Sequence, residues 1–143
     1  MQQKEAKHDT LALDVGKSRV GIALGNSSTK SVETLTSSPR AQKQAEQMVL
    51  KLIAEYTITT VVVGLPLDES GKETSEAVGI KQFASRLAKR TEVTIKFTDE
   101  WGSSLDAKQR LKIEGDPTKE MRKSGVIDAE SASIILERYF QQS

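Results

Sequence analysis

The stretch Leu11 to Asn26, LALDVGKSRVGIALGN, constrains the fold more than any other part of the chain. Leu11, Leu13 and Val15 alternate with Ala12, Asp14 and Gly16, the period of a strand with two distinct faces. Gly16-Lys17-Ser18-Arg19 reads as a tight turn, and Val20 to Leu24 as the returning strand of a hairpin. Aspartate is disfavoured on such a strand, because its ionised carboxylate must be desolvated and then matched by a donor or a cation. Asp14 has only Ala and Gly beside it on its own face, which leaves that face open to approach. We take Asp14 as the first carboxylate of a metal site. A bond to a turn amide or to a buried basic group is the structural alternative.

A sequence of 143 residues is expected to form one domain, here residues 10–143 behind a flexible tail at 1–9. A domain of that size buries roughly 68–70% of the surface its unfolded chain exposes. With 21 basic and 20 acidic residues the net charge is only +1, so any nucleic-acid-binding surface must be local. The absence of cysteine excludes disulfides and thiolate metal sites. The single histidine, His8, lies in the polar opening segment and is expected to be solvated; one imidazole makes no metal triad. No apolar run approaches the roughly 18 residues of a membrane span, and no signal peptide precedes the hairpin. A cytoplasmic protein with no membrane partner is expected.

A third strand is expected at Val32 to Thr36. Ser38-Pro39 then has the form of an N-cap followed by proline at the first helical position. The helix it would open carries Ala45, Met48, Val49, Leu52, Ile53 and Tyr56 on one stripe. Thr57 to Val63 is short, β-branched and nearly continuous, as in a strand covered on both faces. A loop, LDESGKET, leads to a second amphipathic helix over Thr74 to Arg90, with Gly79 a weak point. Val93, Ile95 and Phe97 alternate in a strand that stops at Asp99-Glu100. Further helices are expected at Ser103 to Ile113 and from Asp128 onward, joined by the charged, mobile connection Glu114 to Gly125. Hairpin-linked strands run antiparallel and helix-linked strands parallel, so the pattern predicts a mixed sheet with helices on both faces.

Asp99-Glu100 ends a strand, where ligands bind in open α/β sheets. Both acids also suit the start of the next helix. Asp128, placed at 100° per residue, centres on the apolar stripe of Ala132, Ile135, Leu136 and Tyr139 and so points at the sheet. Its alternative role is an N-cap. Carboxylates gathered from these places repel one another, and a divalent cation relieves the repulsion. An all-oxygen donor set favours Mg²⁺ or Mn²⁺ and suits phosphodiester hydrolysis by two ions.

The segments LALDVGKSRVGIAL, VVVGLPLDESGKE, FTDEWGSS and VIDAESASIILERYF resemble, in order and spacing, the YqgF/RuvX family of RNase H-like nucleases. That resemblance covers Leu11 to Phe140. It implies an RNase H-like three-layer α/β/α fold around a five-stranded mixed sheet, with Asp14, Glu100 and Asp128 as metal-liganding catalytic acids. It also implies hydrolysis leaving a 5′-phosphate on a ribosomal RNA precursor, with structured DNA as a further substrate. Ser103 and Ser104 match the family's hydroxyl pair, and Arg19 a basic residue of its first hairpin. Trp101 departs from the family, standing where many members carry arginine, and Gly25-Asn26 stands where many carry Ser-Asp.

Lys17, Arg19, Lys72, Lys119, Arg122 and Lys123 flank the acids in sequence and are the candidate phosphate contacts. Solvated charged loops are the plainer reading of each alone. A monomer or weak homodimer is expected, since no segment announces an interface. A Holliday junction resolvase is the near alternative, and a nucleic-acid-binding regulator without turnover a more distant one. No GxxxxGK[ST] loop is present, and one domain of this length does not make the two-domain cleft of an actin-like ATPase.

Overall fold

The computed structural model describes residues 7–66, 70–100, 103–111 and 125–142. The five expected strands form one sheet: β1 (Thr10–Val15), β2 (Arg19–Asn26), β3 (Ser31–Pro39), β4 (Thr60–Leu65) and β5 (Thr94–Asp99). Their order is β3-β2-β1-β4-β5. The β1–β2 and β2–β3 pairs are antiparallel, and β1–β4 and β4–β5 are parallel. Among the described residues four α-helices accompany them: α1 (Gln44–Glu55), α2 (Ser75–Ala88), α3 (Ser103–Arg110) and α4 (Val126–Gln142). The predicted mixed sheet with helices is observed.

Strand alternation divides the core in two. On one face Leu11, Leu13, Val20, Ile22, Val61 and Val63 pack with α1 and α2 residues such as Val49, Phe83 and Leu87. On the other, Ala12, Ala23 and Val62 lie under Ala132, Ile135, Leu136 and Phe140 of α4. The two faces differ in side-chain size, and the small residues beneath α4 let its backbone come close to the sheet. Gly21 shows how close, for a Cβ added there would lie 1.9 Å from the carbonyl oxygen of Asp128.

Several local expectations are corrected. Ser38 and Pro39 do not open a helix; they pair with Val20 and Arg19 as the end of β3. β3 is an edge strand, where the missing proline N–H costs little. The chain instead enters α1 through a 3₁₀ turn at Ala41–Lys43, and Lys43, at φ 61°, caps α1 without a side-chain bond. β4 begins at Thr60 and not Thr57, because Thr57 takes a left-handed φ of 55° at the end of α1. α4 begins at Val126, so Asp128 lies inside its first turn and is no N-cap. Phe97 belongs to an edge strand and remains 42% exposed, with the Lys81 ammonium 5.9 Å from its ring. α2 lies within the expected Thr74 to Arg90, and Thr74 caps it, the hydroxyl accepting from the Ala77 N–H.

His8 and Asp9 are also part of the fold and not of a solvated tail. His8 is buried, its Nε2 2.9 Å from Glu33 and its ring edge-on to Tyr56. The Asp9 backbone bonds Gly25 and Thr59, and its carboxylate accepts from Ser27 and Thr10. Residues 1–6 of the expected tail, 112–113 of the expected helix Ser103 to Ile113, and 114–124 of the expected mobile connection lie outside the described residues. Among the described residues no helix is long and apolar enough to cross a membrane.

Candidate active site

Because β1, β4 and β5 are parallel, their carboxyl ends share one edge of the sheet. Asp14, the penultimate residue of β1, is on the α4 face, where alternation puts Ala12. Glu100 follows β5 directly, fixed by its backbone N–H donating to the Leu65 carbonyl of β4 at 3.2 Å. The side chains of Asp14 and Glu100 hydrogen-bond each other. Two carboxyl groups can do so only by sharing a proton. Burial first, and then the charge of Asp14, push the Glu100 carboxyl up to about 9. Burial likewise lifts Asp14 to about 6, helped by the charge of Asp128 and opposed by the bond from Glu100.

Asp128 reaches the same edge from α4. Gly21 is the register partner of Asp14 on β2, and the Asp128 backbone rests against it. Burial raises the Asp128 carboxyl, while the Arg19 guanidinium, 3.9 Å away, opposes the rise. Arg19 is held in turn by two bonds to the Ser37 hydroxyl, at 2.8 and 3.2 Å. Gly25 and Gly64 similarly admit α4: a Cβ on Gly64 would meet Ile135 at 2.6 Å and the Glu100 carboxylate at 2.9 Å.

The structure thus brings Asp14 and Glu100 into contact and Asp128 within electrostatic reach. Among the described residues no three acids stand close enough, as the side chains lie, to enclose one ion. The donor set nevertheless fits a hard divalent cation: it is all oxygen, it is half-buried, and its contacting pair keeps a proton that a cation would displace.

A fourth carboxylate, Glu76 in the first turn of α2, adds its charge at both Asp14 and Glu100. Sequence reading misses it, because an acid in a helix's first turn is ordinary dipole chemistry. Arg138 is missed too. From α4 it bonds the Asp99 carbonyl and the Asp106 carboxylate of α3, on either side of Glu100. Arg110 fastens α3 to α4 through a two-pronged bond to Glu137 and a third to Glu130.

Of the candidate phosphate contacts, Lys17 lies at the β1–β2 turn and Arg19 beside Asp128, both at the acid edge. Lys72 is exposed in the loop before α2. Ser103 and Ser104 form the start of α3 directly after the acids, and their side chains lie outside the described residues, as do Trp101, Lys119, Arg122 and Lys123.

The model of a family described as "RuvX: Holliday junction resolvase" matches residues 8–142. A protein of Anaeromyxobacter sp. (strain Fw109-5) named "Putative pre-16S rRNA nuclease" is 34% identical over 128 residues, 89% of this chain and 92% of its own. A protein of the same name from Paraburkholderia xenovorans is 37% identical, over 90% of this chain and 85% of its own. Among solved structures, Thermus thermophilus RuvC superposes with a TM-score of 0.53 at 15% identity, covering 93% of this chain and 94% of that one. The same protein in complex with a Holliday junction substrate gives 0.52 at 13% identity, covering 93% of each chain. These last two likenesses bear on the fold, which is RNase H-like.

Proposed function

We propose, from the premise that this chain belongs to the RuvX family of nucleases, that it is a divalent-metal-dependent phosphodiester hydrolase acting on structured RNA, with the 5′ end of a pre-16S rRNA as its substrate. One observation carries the reading: the half-buried, proton-sharing contact of Asp14 with Glu100 at the carboxyl edge of three parallel strands. Such a contact is unfavourable for a scaffold and useful for holding cations against a phosphate. Asp14, Glu100 and Asp128 are the residues that would hold Mg²⁺ or Mn²⁺. When bound, the ions would supply activation of water and stabilisation of the leaving oxygen.

The chain's own groups supply the rest. Asp14 and Glu100 release their shared proton as the site loads. Arg19, freed from its long pairing with Asp128, faces the substrate phosphate together with Lys17. Ser103, Ser104, Lys72, Lys119, Arg122 and Lys123 extend the contact surface. Hydrolysis breaks the P–O3′ bond and leaves a 5′-phosphate and a 3′-hydroxyl.

The test is cleavage of a precursor RNA spanning the mature 5′ end, with Mg²⁺ or Mn²⁺, by wild type and by Asp14→Asn. Loss of a ligand's supporting partner costs about 10–100-fold in activity, so loss of a ligand itself costs more. Unchanged cleavage by Asp14→Asn overturns the mechanism. The family description favours a second reading, cleavage of four-way DNA junctions. That activity requires two strands to be cut, hence a dimer. Sedimentation together with a junction-cleavage assay separates it from the first reading.

A further inference from the structure

A cavity of about 330 Å³ opens at the carboxyl end of β1, and of its lining residues Lys17 alone takes part in the chemistry above. Val15 and Gly16, the residues following Asp14, form one wall; Ile80 and Gly79 of α2 form the other. Glu76 also lines it, and its charge is felt at Asp14 and Glu100, so the cavity lies within electrostatic reach of the acid site. Lys17 and Arg40 also line it. The Arg40 guanidinium is held in place, donating to the Gly16 carbonyl at 2.8 Å and lying 5.5 Å from the Phe83 ring centroid. Among the described residues no carboxylate pairs with Lys17 or with Arg40.

We infer that this cavity is a nucleotide subsite: it receives the nucleotide next to the cleaved bond, with that nucleotide's phosphate on Lys17 and Arg40. The inference rests on the nuclease reading for the identity of the strand. The geometry is its own support, for a fixed guanidinium and a lysine ammonium line one pocket that also has apolar wall residues, Val15 and Ile80. Pockets of small ligands combine these features at this size. Arg40 therefore becomes a binding residue, a role that its sequence position after Pro39 does not signal.

Gly79 offers a clean test, because a Cβ there meets no atom within 4 Å. Gly79→Leu fills the cavity without displacing the core. Binding of a fluorescein-labelled single-stranded RNA of mixed sequence is measured by anisotropy in EDTA, for wild type, Gly79→Leu, Lys17→Gln and Arg40→Gln. Thermal melts check that each variant folds. Kd is expected to rise about tenfold in each variant, the scale of one charge-assisted hydrogen bond. Each lost cation should also lower the slope of log K against log salt by about 0.7. KM for the precursor RNA should rise in parallel while kcat changes less. Unchanged Kd and KM in both Gly79→Leu and Arg40→Gln overturn the subsite and leave the nuclease reading standing. Absence of cleavage by wild type, with the binding changes intact, overturns the nuclease reading and leaves the subsite.

Discussion

Asp14 is misplaced by the ordinary rules of strands, and burial is what gives the misplacement its effect. An unfolded chain releases the Asp14 and Glu100 protons near their ordinary values of 3.8 and 4.5, whereas the folded protein keeps them to about 6 and about 9. Between those limits the native state binds more protons, so stability is full below about pH 4 and falls as pH rises through both folded values. Melts in EDTA should therefore show Tm decreasing between about pH 5 and pH 9. Glu100→Gln should flatten the curve, and Mg²⁺ should restore Tm most at the alkaline end. A metal-free Tm that climbs over this range would exclude the shared-proton pair. Asp9 does not confuse the test: burial raises its carboxyl, but bonds from Ser27 and Thr10 outweigh this and leave it lowered, below the window. Glu76 and Arg40, by contrast, were illegible, because an acid opening a helix and an arginine after a proline each have commonplace explanations.

Periodicity located the helices and strands because each element buries one face or both. It failed at α1, where Ser38-Pro39 suits a helix start and an edge-strand end equally, and pairing with Val20 and Arg19 decided between them. It was silent on how near α4 lies to the sheet, since that depends on glycines whose partners are about 70 to 110 residues away in sequence. Gly21 and Gly79 make a contrasting pair. Gly21→Ala puts a methyl against the Asp128 carbonyl and should cost about 1–3 kcal/mol or more, with cleavage reduced through displacement of Asp128. Gly79→Ala meets open space in a helix interior and should gain up to about 1 kcal/mol. Urea denaturation of both variants measures the difference. A Gly21→Ala protein as stable and active as wild type would show that α4 is not seated by that contact.

The two cores are separate clusters that share one sheet, and their helices differ in what they do. α1 and α2 cover the Leu11, Leu13 and Val63 face, whereas α4 both covers the Ala12, Ala23 and Val62 face and carries Asp128. The family-level pattern conveyed this architecture because hairpin-linked and helix-linked strands leave few topologies open. It did not convey the tying of His8 to Glu33 and Tyr56, which a short polar segment gives no sign of. Leu87 and Leu136 are fully buried on opposite faces. Leu87→Ala and Leu136→Ala should each cost about 2–5 kcal/mol. The double variant should add within about 0.5 kcal/mol and still unfold in one transition. Two separated transitions in urea would mean the faces fold independently.

The order in which the acids occur along the chain has a consequence for synthesis. Asp14 and Glu100 are translated before Asp128, and the helix bearing Asp128 is also the lid of the second core. A growing polypeptide therefore cannot bring these three acids to one sheet edge until the helix bearing Asp128 has left the ribosome and docked.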